Sequence, residues 1–299
     1  MTAVHIGIKT SPQSVDWPTI DAAWARIGEH DVFQSVWMND HLTDPNRERG
    51  GASWEALTVA AALAYRVPGR WLGHGVLANT FRHPSVLAKQ ATLLDHVTGG
   101  RFIVGIGAGW HVGEHESFGI PLPPMPERFD RFESAVRVLK ALFSAAAAKE
   151  PGVTRDDPFY PLRGALNEPP PRTPGGPPLW LGGQKRRGIA LAAEVADGWF
   201  LPAIVTEDGR PSDLDYFSDR REALLAALDA IGRKPDGFSF AAQVATGRTR
   251  QDRRSALETA REAVTRGATH VVLGMAPSLG PAGVDAVARE IAEPLRDSA

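Results

Sequence analysis

The 299-residue chain contains no cysteine, and this absence excludes several kinds of chemistry. A chain without thiols forms no disulfide bonds, has no thiolate nucleophile and offers no sulfur ligand to a metal ion. The chain also lacks an excess of charge of either sign: 33 basic against 35 acidic residues give a formal net charge of -2. This balance disfavours nucleic acid or an anionic membrane as the main partner.

Long apolar runs are missing as well. No segment of the sequence approaches the roughly 20 apolar residues that span a bilayer. The opening MTAVHIGIKTS lacks the charged stretch and apolar run of a signal peptide. We therefore expect a cytoplasmic protein with no membrane partner.

What the sequence does contain is an alternation of short apolar runs and longer amphipathic ones. We predict strands at residues 5–9, 35–38, 71–78, 102–106, 178–181, 198–202, 238–245 and 270–274, and helices at 15–29, 53–64, 84–96, 127–147, 186–193, 213–231, 252–266 and 282–295. Parallel strands joined by helices at this chain length most simply close into an α/β (β/α)8 TIM barrel. A doubly wound sheet is the alternative, but its early glycine fingerprint is missing.

Two connections are too long to be plain turns. Residues 110–126 contain several prolines, and residues 151–178 are rich in Pro, Gly and Arg. Long loops in compact proteins commonly serve as lids or binding loops. We interpret the second connection as an insertion segment within one domain that covers residues 1–299.

The stretch GGRFIVGIGAGWHVGEHESF at residues 99–118 carries the clearest functional signal. A buried strand runs into a glycine-rich loop, and Trp110, His111, Glu114 and His115 follow at once. Function in a TIM barrel lies at the carboxyl ends of the strands. An aromatic ring, two imidazoles and a carboxylate at this position indicate a cofactor site with Trp110 and His111 as contacts. A tight turn with a packing tryptophan is the plainer interpretation.

A second candidate site follows the strand at residues 178–181. Gly182, Gly183 and Gln184 precede a predicted helix that begins with three cations. Cations at a helix start oppose its dipole, at a cost of roughly 0.3–1 kcal/mol each. A bound phosphate reverses that sign, because backbone N–H groups and cations then face an anion. We predict phosphate recognition here, helped by Arg186 or Arg187; a solvated basic helix end is the alternative.

Other patterns are weaker. The run His111-x-x-Glu-His is similar to a zinc motif, but the preceding glycine loop and the lack of a third ligand argue against a metal. We expect Pro84 to begin a helix with Arg82 in solvent. The charged residues Arg128, Asp130, Arg131 and Glu133 are expected to form helix-surface ion pairs.

Several segments together resemble the luciferase-like flavin and deazaflavin oxidoreductases. They are VWMNDHL, LGHGVLANTFRHPSVLAKQATLLDHVTGGRFIVGIGAGW, PERFDRFESAVRVLKALF, PPLWLGGQKRRGIALAAEVADGWF and GATHVVLG. The resemblance implies a bacterial luciferase-like barrel, a redox cofactor bound at its mouth and, often, a homodimer. The Ala-, Arg- and Gly-rich composition is similar to members that use coenzyme F420, whereas other members use FMN.

The resemblance also implies roles for particular residues. A non-prolyl cis peptide at Gly75–Val76 forms a bulge behind the cofactor ring, and Asn79 lies beside the ring as a hydrogen-bond partner. Asp40 and His41 match an Asp-His pair that contacts the deazaflavin in dehydrogenase relatives. Imidazole titrates near neutral pH, so His41 is the predicted catalytic residue.

These observations favour an oxidoreductase that transfers a hydride between bound F420 and a small organic substrate. The first alternative is an FMN-dependent monooxygenase that receives reduced flavin from a separate reductase and reacts it with O2. A non-catalytic cofactor-binding protein and a metal-assisted hydrolase are further alternatives. Dehydrogenase relatives bring a carboxylate near the strand end where this chain has Trp110-His111, which argues against a sugar-phosphate substrate.

Overall fold

Parallel strands form the centre of the protein. The computed structural model describes residues 4–45, 51–201 and 214–298. Its strands are β1 His5–Thr10, β2 Ser35–Met38, β3 Trp71–His74, β4 Leu77–Ala78, β5 Phe102–Gly107, β6 Val153–Arg155, β7 Leu162–Ala165, β8 Leu179–Leu181, β9 Gly198–Leu201, β10 Ser239–Ala245 and β11 His270–Met275.

The large sheet closes on itself. Its strand order is β3-β2-β1-β11-β10-β9-β8-β5-β4, and β3 also pairs with β5. Because β3 and β4 both pair with β5 in the same direction, they are two halves of one barrel strand. Eight parallel barrel strands result, and the predicted (β/α)8 TIM barrel is confirmed.

Helices cover the outside of the barrel. They are α1 Trp17–Gly28, α2 Ala56–Leu63, α3 Pro84–Val97, α4 Val112–Phe118, α5 Met125–Phe143, α6 Arg186–Val195, α7 Leu214–Ala230, α8 Arg250–Thr265, α9 Gly280–Val287 and α10 Glu293–Arg296. Most follow the predicted ranges within a few residues, but α4 lies in the connection at residues 110–126, for which no helix is predicted. The insertion at residues 151–178 holds the antiparallel pair β6–β7. The predicted strand end at 202, the predicted helix start at 213 and the connection between them lie outside the described residues, and the single domain stays a prediction.

Aromatic side chains fill the barrel interior. Trp37 packs against Trp180 and Phe200 with ring centroids 5.1 and 5.4 Å apart. A Cβ atom added to Gly73 would lie 2.6 Å from the Trp37 ring, so β3 has no room for a side chain at this position. Burying such rings contributes much of the core energy, because each removes roughly 150–250 Å² from water. The interior is therefore packed solid below the carboxyl ends of the strands.

The third barrel strand is interrupted where the resemblance implied it. The Gly75–Val76 peptide is cis, which confirms that expectation. Neighbouring strands make room for this bulge with glycines: a Cβ atom on Gly105 would lie 1.8 Å from the His74 carbonyl oxygen, and one on Gly107 would lie 2.9 Å from Val76 Cγ2. The glycine-rich run at the end of β5 is therefore required by the bulge.

Within the described ranges, none of the helices is both long and apolar enough to cross a membrane.

One buried histidine and two half-buried ones are held neutral by the fold. The rings of His5 and His270 stack at the amino end of the barrel, with centroids 4.3 Å apart. Burial lowers the pKa of His5 to about 4 and that of His270 to about 3. His74 is completely buried with its ring edge-on to Phe102, and burial lowers its pKa to about 4.

These pKa values predict that acid destabilises the fold. Because the unfolded chain protonates each histidine near its ordinary pKa, the free energy of unfolding should fall as the pH drops from about 6.5 towards 4. His74 alone should contribute on the order of 3 kcal/mol over that window. Urea unfolding measured between about pH 7 and 4.5 checks this.

The variant His74→Phe should show a shallower pH dependence than the wild type. His96, which is exposed at the end of α3, provides the control, because His96→Phe should leave the slope unchanged. Equal slopes for all three proteins would contradict this assignment.

Candidate active site

A cavity of about 790 Å³ opens at the carboxyl ends of the barrel strands. Its volume is in the range of small-molecule and cofactor sites. The predicted residues that line it are Asp40, His41, Gly75, Val76, Trp110, His111, Gly182 and Gln184. Segments from four distant parts of the sequence therefore meet at one end of the barrel, as the strand ends predicted.

Three predicted residues lie elsewhere. Asn79 is buried and borders a neighbouring hollow of about 580 Å³. Gly183 packs against Gly188, where an added Cβ would meet the Gly188 Cα at 2.7 Å. Arg187 forms an ion pair with Asp130 at 2.7 Å on the surface between α5 and α6. The structure therefore does not bring the Arg187 guanidinium to the cavity.

The partly buried His41 and the buried Glu114 form a dyad in the wall of the cavity. The His41 Nδ1 lies 3.0 Å from Glu114 Oε2, and the other carboxylate oxygen accepts the backbone N–H groups of Leu42 and Thr43. The Ser53 hydroxyl donates to the His41 carbonyl at 2.6 Å. Both the ring and the backbone of His41 are therefore fixed.

The charge state of Glu114 sets the tautomer of His41. Burial raises the pKa of Glu114, but the hydrogen bonds from His41 and from the Thr43 and Leu42 backbone outweigh it and hold the pKa below its usual value. An ionised carboxylate only accepts hydrogen bonds, so His41 Nδ1 carries a proton. The ring nitrogen that remains for a ligand is Nε2.

The other two histidines of this region have structural partners. His111 caps α4, with its Nδ1 accepting the Glu114 N–H at 3.0 Å. His115 contacts the His111 carbonyl through Nδ1 and Thr80 Oγ1 through Nε2, at 2.8 and 2.7 Å. The polar groups of the zinc-like motif thus go to different partners, and no cluster of metal-ligand side chains exists among the residues that the structure describes.

Asp40 is held by a buried ion pair. Its two oxygens accept from the guanidinium of Arg82 at 2.6 and 2.8 Å, and one also accepts the Ala78 N–H at 2.8 Å. The expectation that Arg82 is solvated is wrong, because Asp40 and Glu55 together draw its side chain inside. This bidentate pair connects the end of β2 to β4 and to the start of α3.

The predicted surface pairs on α5 are correct only in part. Arg131 pairs with Glu127 one helical turn away, as expected of a surface pair. Arg128 instead donates to the carbonyl oxygens of Pro123 and Gly109, at 2.9 and 3.2 Å. Arg128 therefore holds α5 against the glycine loop that borders the cavity.

Sequence reasoning missed Lys9 on the cavity floor. Lys9 is only 4% exposed, and its Nζ donates to the Gly75 carbonyl at 3.0 Å and to Gln243 Oε1 at 2.5 Å. Burial lowers its pKa to about 7. The available signal was its position, since a lysine near the end of an apolar first strand points towards the barrel mouth.

The cavity walls fit a flat redox cofactor with an anionic tail. The Val76 side chain projects between Gly107 and Gly182, where added Cβ atoms would lie 2.9 and 3.1 Å from it, so the wall carries a single apolar bulge. The first turn of α6 follows Gly182 and Gln184, and its N-cap residue Lys185 provides no side-chain cap. The free N–H groups of that turn are available to an anion.

Comparisons with known proteins agree with this geometry. A family model described as luciferase-like monooxygenase matches residues 8–295. The chain is 33% identical over 210 residues to a phthiodiolone/phenolphthiodiolone dimycocerosates ketoreductase of Mycobacterium tuberculosis, covering 69% of this chain and 51% of the relative. It is 31% identical over 229 residues to an F420-dependent glucose-6-phosphate dehydrogenase of Microbacterium testaceum, covering 76% of this chain and 59% of the relative.

A solved structure shares the fold along the whole chain. An F420-dependent secondary alcohol dehydrogenase, in complex with an F420–acetone adduct, superposes with a TM-score of 0.78 at 17% identity. The match covers 99% of each chain. By contrast, the chain spans only about half of the ketoreductase and about three fifths of the glucose-6-phosphate dehydrogenase.

The buried ion pair predicts an asymmetry between two arginines. Arg82→Met leaves the Asp40 carboxylate buried without its cation, so it should lower the free energy of unfolding by about 3–5 kcal/mol. Arg131→Met removes a partly exposed pair and should cost less than about 1 kcal/mol. Denaturant unfolding at neutral pH measures both, and similar losses for the two variants would contradict the importance of the Asp40 contact.

Proposed function

This chain belongs to the luciferase-like monooxygenase family, and from that membership we propose that it is an oxidoreductase that transfers a hydride between bound coenzyme F420 and a small organic substrate. The observation that carries the proposal is the His41–Glu114 dyad, which borders the same cavity as the Val76 bulge. The dyad supplies proton chemistry and the bulge supplies a wall for a flat ring. Hydride transfer to a carbonyl group, or from an alcohol, uses a proton donor or acceptor beside a positioned ring.

The chain's own residues divide the binding of the coenzyme between two walls. Val76 supports one face of the ring and leaves the opposite face open to the substrate. Gly182 and Gln184, with the free N–H groups at the start of α6, hold the phosphate. When bound, the deazaflavin accepts or donates the hydride, and the protein contributes orientation and exclusion of water.

His41 handles the proton that accompanies the hydride. Its Nδ1–H is held by Glu114, so Nε2 takes the proton of an alcohol that is oxidised, or returns it to the oxygen of a carbonyl that is reduced. The carboxylate of Glu114 stabilises the imidazolium in between. Asp40 serves this step through Arg82, because their ion pair fixes the residue before His41.

Two features favour F420 and an apolar substrate. Both curated relatives align over more than two thirds of this chain, and the dehydrogenase among them is named as F420-dependent. The cavity rim presents Trp110, whose surface is 63% exposed. An apolar rim favours a small apolar alcohol or ketone over a sugar phosphate.

The family description keeps a second candidate open. A luciferase-like monooxygenase uses reduced FMN and O2, with the reduced flavin supplied by a separate reductase. The same bulge and phosphate wall would hold FMN, so the coenzyme itself has to be tested.

The expected cytoplasmic location also stays a prediction.

Coenzyme titration tests the proposal directly. We expect the purified protein to quench F420 fluorescence at low micromolar concentration and to bind FMN at least tenfold more weakly. The opposite preference would favour the monooxygenase. Binding of neither coenzyme would overturn the oxidoreductase proposal.

His41 is tested by His41→Gln, which keeps a polar side chain but removes the titrating ring. Turnover should fall by about 10²–10⁴-fold, the usual contribution of a general acid or base, while coenzyme affinity changes little. His96→Gln at the exposed end of α3 is the control and should keep full activity. Unchanged turnover for His41→Gln would show that His41 has no catalytic role. If the wild type binds the coenzyme but turns over no alcohol or ketone, a non-catalytic cofactor-binding protein is favoured instead.

The expected homodimer remains a proposal with a candidate surface. Val86, Leu93 and Val97 lie on one face of α3 and are each more than half exposed. Exposed apolar patches of this kind mark protein contacts. Light scattering should give a dimer mass for the wild type and a monomer mass for Leu93→Asp, and a monomeric wild type would contradict the proposal.

A further inference from the structure

Lys9 is a buried cation in a place where the fold does not need one. Its Nζ reaches the Gly75 carbonyl and the Gln243 side chain, both neutral acceptors, and the Phe200 ring centre lies 5.7 Å away. Within the described part of the chain it forms no ion pair with a carboxylate. Burying an unpaired ammonium is costly. An amine at such a site takes up its charge most readily when an anion lies beside it.

The hydrogen bonds of Lys9 leave one donor unused. An ammonium group has three N–H donors, and the Gly75 oxygen and Gln243 Oε1 take two of them. Packed aromatic rings lie below Lys9, and the cavity lies above it. The third N–H is therefore available to a ligand in the cavity.

The position of that donor follows from its contact with Gly75. Gly75 precedes Val76, the residue on which the proposed ring rests. Trp110 is mostly exposed at the rim, whereas Lys9 is almost completely buried, so the two mark the outer and inner limits of the cavity. A ring supported by Val76 would therefore have its inner edge near Lys9, in the cavity that His41 also lines.

We propose that Lys9 contacts the inner edge of the bound ring and is the counter-charge for the negative charge that the ring takes up on reduction. This inference rests on the proposed function. Oxidation of an alcohol divides the C–H and O–H hydrogens: the hydride carries two electrons to the ring, and the proton goes to His41. Hydride delivery adds one negative charge at the ring, next to the ammonium.

The consequence is a difference in affinity between the two redox forms. A cation in a water-poor site attracts the reduced form, which carries one more negative charge, more strongly than the oxidised form. By linkage, tighter binding of the reduced form raises the two-electron reduction potential of the bound coenzyme. Burial lowers the pKa of Lys9 to about 7, and an anionic ring beside Nζ would raise that pKa again, so reduction of the ring would favour the charged amine. The argument is the same for a deazaflavin and for FMN.

Two variants of Lys9 separate its charge from its hydrogen bonds. Lys9→Met removes both, whereas Lys9→Gln keeps a neutral N–H donor for the Gly75 carbonyl. Dissociation constants for the oxidised and reduced coenzyme are measured anaerobically for each protein. We expect both variants to lose at least tenfold in the affinity ratio of reduced to oxidised form, which equals a potential lower by about 30 mV for a two-electron couple.

The other outcomes overturn the inference at distinct points. If Lys9→Gln behaves as the wild type, or if both redox forms weaken equally, Lys9 is not the counter-charge. If the wild type binds neither F420 nor FMN, the proposed function fails and takes this inference with it. Circular dichroism of the apo proteins confirms that a variant is folded before it is compared, and Lys9→Gln remains available if Lys9→Met does not fold.

Discussion

The buried ion pair between Asp40 and Arg82 is the contact on which the arrangement of the site depends. It joins the end of β2 to β4 and to the residues that lead into α3, just beyond the point where the β2–β3 hydrogen bonds of the barrel end. His41 is the next residue after Asp40, so the Asp40–Arg82 ion pair also fixes the position of His41 in the cavity wall. Glu114 then orients the ring. Electrostatics thus sets the position of the acid–base group, and hydrophobic packing sets the barrel around it.

A second constraint is steric and comes from the bulge at Val76. A side chain directed into a closed barrel needs bare backbone opposite, and Gly107 and Gly182 supply it from two different strands. Because Gly107 and Gly182 have no side chains, the cavity wall is also flat on both sides of the Val76 bulge. Gly182, which the sequence suggests as part of a phosphate site, is therefore also a packing requirement, and the proposed phosphate site gains further N–H donors from the uncapped first turn of α6.

The limits of sequence reasoning follow from the range of the interactions involved. The alternation of apolar runs was sufficient for the barrel, because each strand and helix carries its own periodicity. It was insufficient for α4, whose seven residues include glycine and are too few to show a period. The predicted end of the second strand correctly placed His41 at the cavity. The contact between His41 and Glu114 joins residues 73 positions apart, so no local sequence pattern indicates it. Arg82 and Lys9 were misjudged or missed for the same reason: charged side chains are normally solvated, and only tertiary structure buries them.

The contact between Lys9 and Gln243 joins residues 234 positions apart, from the first barrel strand and the seventh. During synthesis the lysine leaves the ribosome long before its partner exists, and until β10 docks it is surrounded by water and fully ionised. The buried environment that lowers the pKa of Lys9 is therefore formed late in folding, when the barrel closes. A nascent chain with its first six barrel strands in place already contains His41 and Glu114. It still lacks the buried environment that lowers the pKa of Lys9.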